Sequence, residues 1–242
     1  MENQYSVIIP LHNEEECIGE TLDELLPALP EGVSVAVGLN ACTDETVRIC
    51  RTREIILGET EDIGYGHGCL AAIEAITKSH VSPDPDAYIF YAGDGANRPE
   101  DLLKLIDLYE SDNATRFAMG LRRFQLGEWA SEFGRALPNL ILGVWCKLVG
   151  GQFFHDLGPL RIIDRKLFEE MALRELTWGW TIEAQIRAAQ LGVDIATIPV
   201  EERQRTAGEQ KVSGVSPWRS LKIGGAIAAA AWRTAKTKNA PS

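Results

Sequence analysis

Apolar and polar positions change period again and again along this chain. Tyr5–Ile9 is a β-rich apolar run ended by Pro10, and the apolar positions Ile18, Leu22, Leu25 and Leu26 then recur at helical spacing. The switch repeats. Val33–Val37 precedes a helix over Val47–Thr52. Ile55–Leu57 precedes Gly64–Gly68 and a helix through Leu70, Ile73 and Ile76. The run Ala87–Tyr91 precedes a helix entered at Pro99. Strands alternating with helices up to Asp94 predict an α/β fold: a mostly parallel sheet with helices on both faces. Beyond it the pattern predicts a strand at Phe117–Met119, helical pieces over Trp129–Leu148 and an extended segment at Phe153–Ile163. Helices follow at Arg165–Leu173 and Thr181–Leu191, then a last strand at Val193–Val200, with antiparallel pairing open to it. Trp218–Lys236 reads as one helix.

Candidate chemistry sits where strands end. Asp94 follows the central run Ala87–Tyr91, at the edge where ligands bind in open α/β sheets. Taken alone, its Asp-Gly pair is a turn. Asn13 is placed to cap the first helix, and Asp44 or Thr43 the second. The glycines Gly64, Gly66 and Gly68 at a helix entrance permit close approach of an anion, though their spacing is that of neither a P-loop nor a dinucleotide fingerprint.

Charge adds one feature. The chain of 242 residues carries a net −11, which argues against a general nucleic-acid binder. From Arg203 to Ser242, however, there are eight Lys/Arg and one acid, a net of +7 on an acidic body. Such a tail suits a phosphate or an anionic surface, or is simply a solvated terminus. The helix at Trp218–Lys236 reads either as interfacial on a membrane or as packed on the body with its bases in water. The five cysteines form no CxxC pair, which fits a reducing interior. The first residues lack the marks of a signal peptide, and no apolar run reaches the roughly 20 residues that span a bilayer.

Seven stretches in order resemble family-2 glycosyltransferases, in particular the branch of dolichyl-phosphate mannose and glucose synthases. They are SVIIPLHNEEECI, NACTDET, GYGHGCLAAI, YAGDGANRPEDL, DLGPLRII, WGWTIEAQIRAAQLG and IPVEERQRTAGEQKVSG, between Ser6 and Gly214. The resemblance implies a GT-A, Rossmann-like fold over 1–214, with 215–242 as a basic amphipathic C-terminal helix and tail. It implies inverting transfer of a sugar from a nucleotide-sugar to an acceptor such as polyprenyl phosphate or another lipid or small molecule. Pro10, Asn13, Glu14, Asn40, Asp44 and Gly66 match nucleotide-sugar-binding positions. Asp94 matches the last Asp of the DxD motif, which holds Mg²⁺ or Mn²⁺ against the diphosphate. Glu183 matches an acidic residue near the acceptor, and Arg161, Arg203, Arg205 and Lys211 match phosphate or acceptor contacts. The location implied is cytoplasmic or peripheral to the inner face of the membrane, with no nucleic-acid partner.

Residue-level alternatives stand beside these roles. Glu183 can instead pair with Arg187 one turn on, and Arg161 with Asp156 or Asp164. The chain also departs from the motif: Ala92 and Ala96 stand where oxygen ligands are usual, and Leu39 where an Asp is common. A catalytically degenerate nucleotide-sugar-binding or scaffold protein is therefore the second reading. A nucleotidyltransferase ranks last, because Pro10–Glu14 is acidic where that class has a basic Gly-rich loop.

Overall fold

The computed structural model describes residues 4–79, 84–122, 143–148, 154, 156–201, 203 and 217–237. The expected helical pieces over 129–142, and His155, Arg205 and Lys211, lie outside the described residues.

The apolar runs become strands: β1 (Tyr5–Leu11), β2 (Val33–Asn40), β3 (Ile56–Thr60), β4 (Ala87–Phe90), β5 (Phe117–Arg122), β6 (Arg161–Asp164) and β7 (Ala196–Val200). The helices are α1 (Ile18–Leu25), α2 (Thr46–Cys50), α3 (Tyr65–Ser79), α4 (Pro99–Glu110), α5 (Arg165–Met171), α6 (Trp180–Gln190) and α7 (Pro217–Lys236), and 143–148 is helical as well. Local chemistry sets several ends. Pro99 opens α4 with Glu100 and Asp101 in its first turn. The Asp164 carboxylate accepts from the Leu167 amide at 2.8 Å and so caps α5.

The sheet runs β3-β2-β1-β4-β6-β5-β7. β1, β2, β3 and β4 are mutually parallel, β6 is antiparallel to both β4 and β5, and β7 is parallel to β5. The reversed strand is therefore β6, not the last one. β6 ends at the amino edge, where Asp164 is opposite Ala87. The α5–α6 pair returns the chain to that same edge, so β7 must run parallel to β5.

The period of two along β1 builds two layers. Val7, Ile9 and Leu11 pack with Leu22, Leu25, Leu102 and Leu105 of α1 and α4. Ile8 faces the opposite cluster, with Cys69 and Ala72 of α3, Phe90 and Trp180. On that second side α3 lies directly on the strands. A Cβ at Gly38 would stand 1.7 Å from the Gly68 carbonyl oxygen, and one at Gly58 2.0 Å from that of Ala71. Gly38→Ala is expected to cost about 3 kcal/mol through overpacking. That corresponds to a fall of roughly 6–12 °C in Tm, read by thermal circular dichroism. An unchanged melt would contradict this close approach.

A third cluster joins the C-terminal helix to the body. Ala230 and Ala231 of α7 pack with Ile182 and Ile186 of α6, Cys146 and Phe154. Arg187 of α6 donates from Nη2 to the Thr237 hydroxyl at 2.9 Å, and Gln190 donates to the Thr234 carbonyl at 3.2 Å. Lys222, Arg233 and Lys236 stay exposed. This is the packed arrangement of the two weighed for this helix, and it gives α7 a core in common with α6.

Candidate active site

The loops after β1 and β2 are laced together at the carboxyl edge of the sheet. Asn13 adopts a left-handed φ of 53° and does not cap α1, whose N-cap position is Cys17. Instead its Oδ1 accepts from the Thr43 amide at 2.7 Å, and its Nδ2 donates to the Thr43 hydroxyl at 3.2 Å. The Glu14 amide donates to the Thr46 hydroxyl at 2.8 Å, and the Glu15 amide to Asp44 Oδ2 at 3.2 Å. Asp44 Oδ1 accepts from the Thr46 amide at 3.0 Å. Partial burial pushes the Asp44 carboxyl up, but the hydrogen bonds from Thr46 and neighbouring amides outweigh it and hold its pKa below the usual carboxylate value.

Asn40 joins this wall to α3. Its carbonyl meets His12 Nδ1 at 2.8 Å, and its Oδ1 accepts from the Gly64 amide at 3.4 Å. A Cβ on Gly68 would lie 2.8 Å from Asn40 Nδ2 and 2.9 Å from Pro10 Cβ. The structure thus brings Pro10, Asn13, Glu14, Asn40 and Asp44 together along one rim.

Gly66 is placed differently from the expectation. Its amide donates to the Leu176 carbonyl at 2.9 Å, and the His67 amide to the same oxygen at 3.3 Å. A Cβ at Gly66 would meet the Trp180 ring at 2.4 Å. The lack of a side chain admits Trp180 and Leu176, and the amide an anion would use is taken by protein.

Asp94 stands on a tight loop after β4. Asn97, only 4% exposed, closes it: its Oδ1 accepts from the Ala92 amide at 3.0 Å, and its carbonyl from the Tyr91 hydroxyl at 2.8 Å. Asp94 Oδ1 accepts from the Ala96 amide at 3.1 Å around Gly95, whose φ is 76°. Sequence reasoning missed Asn97. The available signal was an amide side chain between a Gly turn and a helix-opening proline.

Arg203 lies at this loop, and its Nη2 is committed to protein. Its amide donates to the Ala96 carbonyl at 2.9 Å, and Nη2 donates to Glu24 Oε2 at 2.7 Å and to the Asn97 carbonyl at 3.2 Å. Arg203 thus spends Nη2 on protein contacts, while its buried Nε has no hydrogen-bond partner among the described residues. It fastens the chain beyond β7 to the Asp94 loop, helped by Asp101 Oδ2, which accepts from the Glu201 amide at 3.0 Å.

Arg161 and Glu183 are both buried. Arg161 opens β6, in register with Phe90 and Met119, and is 2% exposed. Neither expected ion pair forms: Asp156 pairs with Arg122 at 2.5 Å, and Asp164 with Arg116 at 3.1 Å. Arg161 donates instead to the Gly158 and Thr181 carbonyls at 2.7 and 3.0 Å, and its buried Nη2 has no hydrogen-bond partner among the described residues. Burial lowers its pKa to about 10, against the opposing pull of Tyr65 and Asp156.

Glu183, 1% exposed, accepts at Oε2 from the Arg174 and Glu175 amides at 2.8 and 2.6 Å. Its Oε1 lies 3.7 Å from Arg187 Nε. This is the helix ion pair weighed against a catalytic role; Oε2 is taken by two amides, while Oε1 stands at ion-pair distance from Arg187 without a hydrogen bond to its Nε.

Among the described residues, no group of three or more His, Cys, Asp or Glu side chains is gathered to hold a metal ion. Around Asp94 the donor set is one carboxylate, since Ala92 and Ala96 carry no ligand atom. The residues described do not by themselves fit a protein-held divalent metal.

The mostly parallel sheet with loops gathered at its carboxyl edge is a GT-A, Rossmann-like fold, and the family match makes the chain a nucleotide-sugar-using transferase of that class. The chain belongs to glycosyl transferase family 2, whose model matches residues 6–171. Relatives include an undecaprenyl-phosphate mannosyltransferase of Micrococcus luteus, 27% identical over 226 residues, covering 86% of each chain. A dolichyl-phosphate hexose transferase of Haloferax volcanii is 28% identical over 212 residues, with the same 86% coverage of both. Among solved structures, glucosyl-3-phosphoglycerate synthase of Mycobacterium tuberculosis, in complex with Mn²⁺, UDP-glucose and glycerol 3-phosphate, superposes with a TM-score of 0.71. It is 16% identical, over 99% of this chain and 82% of the other.

Proposed function

We propose that this enzyme transfers a sugar, with inversion, from a nucleotide-sugar to a polyprenyl-phosphate acceptor. The observation that carries this reading is the state of Glu183. A hydroxyl acceptor needs a general base within reach, and Glu183, the residue expected for that task, is 1% exposed with Oε2 held by two amides and Oε1 facing Arg187 at 3.7 Å. A phosphate acceptor is already anionic and needs none. The acceptors named for the Micrococcus and Haloferax relatives are of that kind.

In this reading the laced rim of Asn13, Glu14, Asn40 and Asp44, with Pro10, receives the nucleotide. Asp94 faces the diphosphate end. The acceptor oxygen attacks the anomeric carbon opposite the departing diphosphate. Arg203 acts as an anchor at the Asp94 loop, and Arg205 and Lys211, which follow it in the sequence, are cations that suit phosphate oxygens. Arg161 holds the start of β6 and the first turn of α6 at the same edge.

The second reading, a degenerate binding protein, is favoured by Ala92 and Ala96 beside Asp94. One experiment separates the two and tests the metal. Nucleotide-sugars are screened by thermal shift with and without Mn²⁺, and the best donor is then assayed for transfer to polyprenyl phosphate and to glycerol 3-phosphate. A donor-specific rise in Tm with transfer to the lipid phosphate is expected. A rise without transfer to either acceptor would leave the binding protein standing, and transfer to glycerol 3-phosphate alone would replace the acceptor.

A further inference from the structure

Helix α1 has polar groups on a face that the site described above does not use. The Cys17 and Ile18 amides donate to the Glu14 carbonyl at 3.1 and 2.9 Å, so the helix grows directly out of the nucleotide rim. One turn on, the Thr21 hydroxyl, on a residue 2% exposed, lies 2.9 Å from the Cys17 carbonyl and 3.3 Å from the Gly93 carbonyl of the Asp94 loop. Its single proton is shared between the two. The loop also rests on the helix: a Cβ at Gly93 would stand 2.1 Å from Leu11 Cδ2 and 3.6 Å from Ile18 Cδ1. Three residues beyond Thr21, Glu24 Oε2 accepts from Arg203 Nη2 at 2.7 Å. Cys17, Thr21 and Glu24 recur at helical spacing and share one side of α1.

Arg203 is where three elements meet. Its amide donates to the Ala96 carbonyl, and the same Nη2 that meets Glu24 donates to the Asn97 carbonyl at 3.2 Å. Asn97 in turn closes the Asp94 loop through the Ala92 amide and the Tyr91 hydroxyl. Among the described residues, Glu24 is the carboxylate paired with this guanidinium. The pair is only half-buried, with side-chain exposures of 29% and 38%, and pairs of that kind add little to global stability. Helix α1 does not need it either, since Ile18, Leu22 and Leu25 are fully buried. What Glu24 determines is where Arg203 points.

We infer that Glu24 is a positioning residue for the diphosphate end of the donor. It holds the Arg203 guanidinium on the Asn97 carbonyl, and so sets the Asp94 loop and the chain beyond β7 from α1. The helix that begins at the nucleotide rim thereby aligns the two ends of one ligand. This rests on the reading that the rim receives a nucleotide and Asp94 faces its diphosphate, and it adds to that reading a residue that acts through another.

The test is calorimetry on the full chain with UDP, GDP, ADP and CDP and with the matching nucleoside monophosphates. In Glu24→Gln, which keeps the side chain's length and removes its charge, affinity for the diphosphate that binds should fall about fivefold, the size of one such ion pair. Affinity for the monophosphate should stay as in the wild type, because the loss is confined to the diphosphate end. The melting curve should not move. Glu20→Gln removes an exposed acid one turn earlier on α1 and is the control, expected to bind like the wild type. A role in general stability would weaken mono- and diphosphate alike. Wild-type diphosphate affinity in Glu24→Gln, an equal loss for the monophosphate, or the same loss in Glu20→Gln would overturn the inference. A wild-type chain that binds none of the four diphosphates would instead overturn the donor reading, and this inference with it.

Discussion

Asp94→Asn is expected to lower the rate of sugar transfer about 100- to 1,000-fold, the cost of losing one preorganised charge from a reacting site. The substitution suits the question because it spares the loop. Asparagine keeps an Oδ1 that can accept from the Ala96 amide, now at 3.1 Å, and leaves the Gly95 turn and the Asn97 contacts as they are. Only the negative charge and its chemistry go. The fall should therefore appear in kcat with the melting temperature nearly unchanged, read by a discontinuous transfer assay beside a thermal melt. Transfer at the wild-type rate would remove Asp94 from the reaction.

The second large effect is on stability. Glu183→Ala leaves Arg187 buried and unbalanced and strips the Arg174 and Glu175 amides of their acceptor. Breaking a buried pair from one side costs about 3–5 kcal/mol, which for a chain of this size is a fall of roughly 6–20 °C in Tm. The damage should spread to α7, because Arg187 also holds Thr237 at its end. Glu183→Gln keeps an acceptor for the two amides and should lose less. The expected pattern is a graded loss of stability, with transfer by the folded fraction retained. A glutamine variant that melts like the wild type and is inactive would mean that Glu183 acts in the chemistry.

The layered architecture was legible because each element states its period locally. Tyr5–Ile9 is apolar but for Ser6 and is buried on both sides, and Pro99 with Glu100 and Asp101 marks a helix start without help from the rest of the chain. The direction of β6 and β7 was not legible, since strand polarity follows from where the chain re-enters the sheet. At the site, residue type and position brought Asn13, Asn40, Asp44 and Asp94 to the right edge. Their partners were another matter. That Asn13 bonds Thr43, that Arg203 spends Nη2 on Glu24, and that Arg161 bypasses both aspartates are contacts between residues far apart in sequence. Gly66 shows the same limit: the glycine was visible, while the Trp180 ring that requires it lies on another helix.

The reversed β6 has a consequence for how this enzyme can diverge. Arg122 at the end of β5 and Arg161 at the start of β6 stand at one edge of the sheet, so the chain departs and re-enters there across residues 123–160. The length of a connection between two ends on one edge does not set the register of the strands it joins, yet this one also carries Cys146 and Phe154 into the cluster shared with α6 and α7, so divergence there is limited by what that cluster must keep.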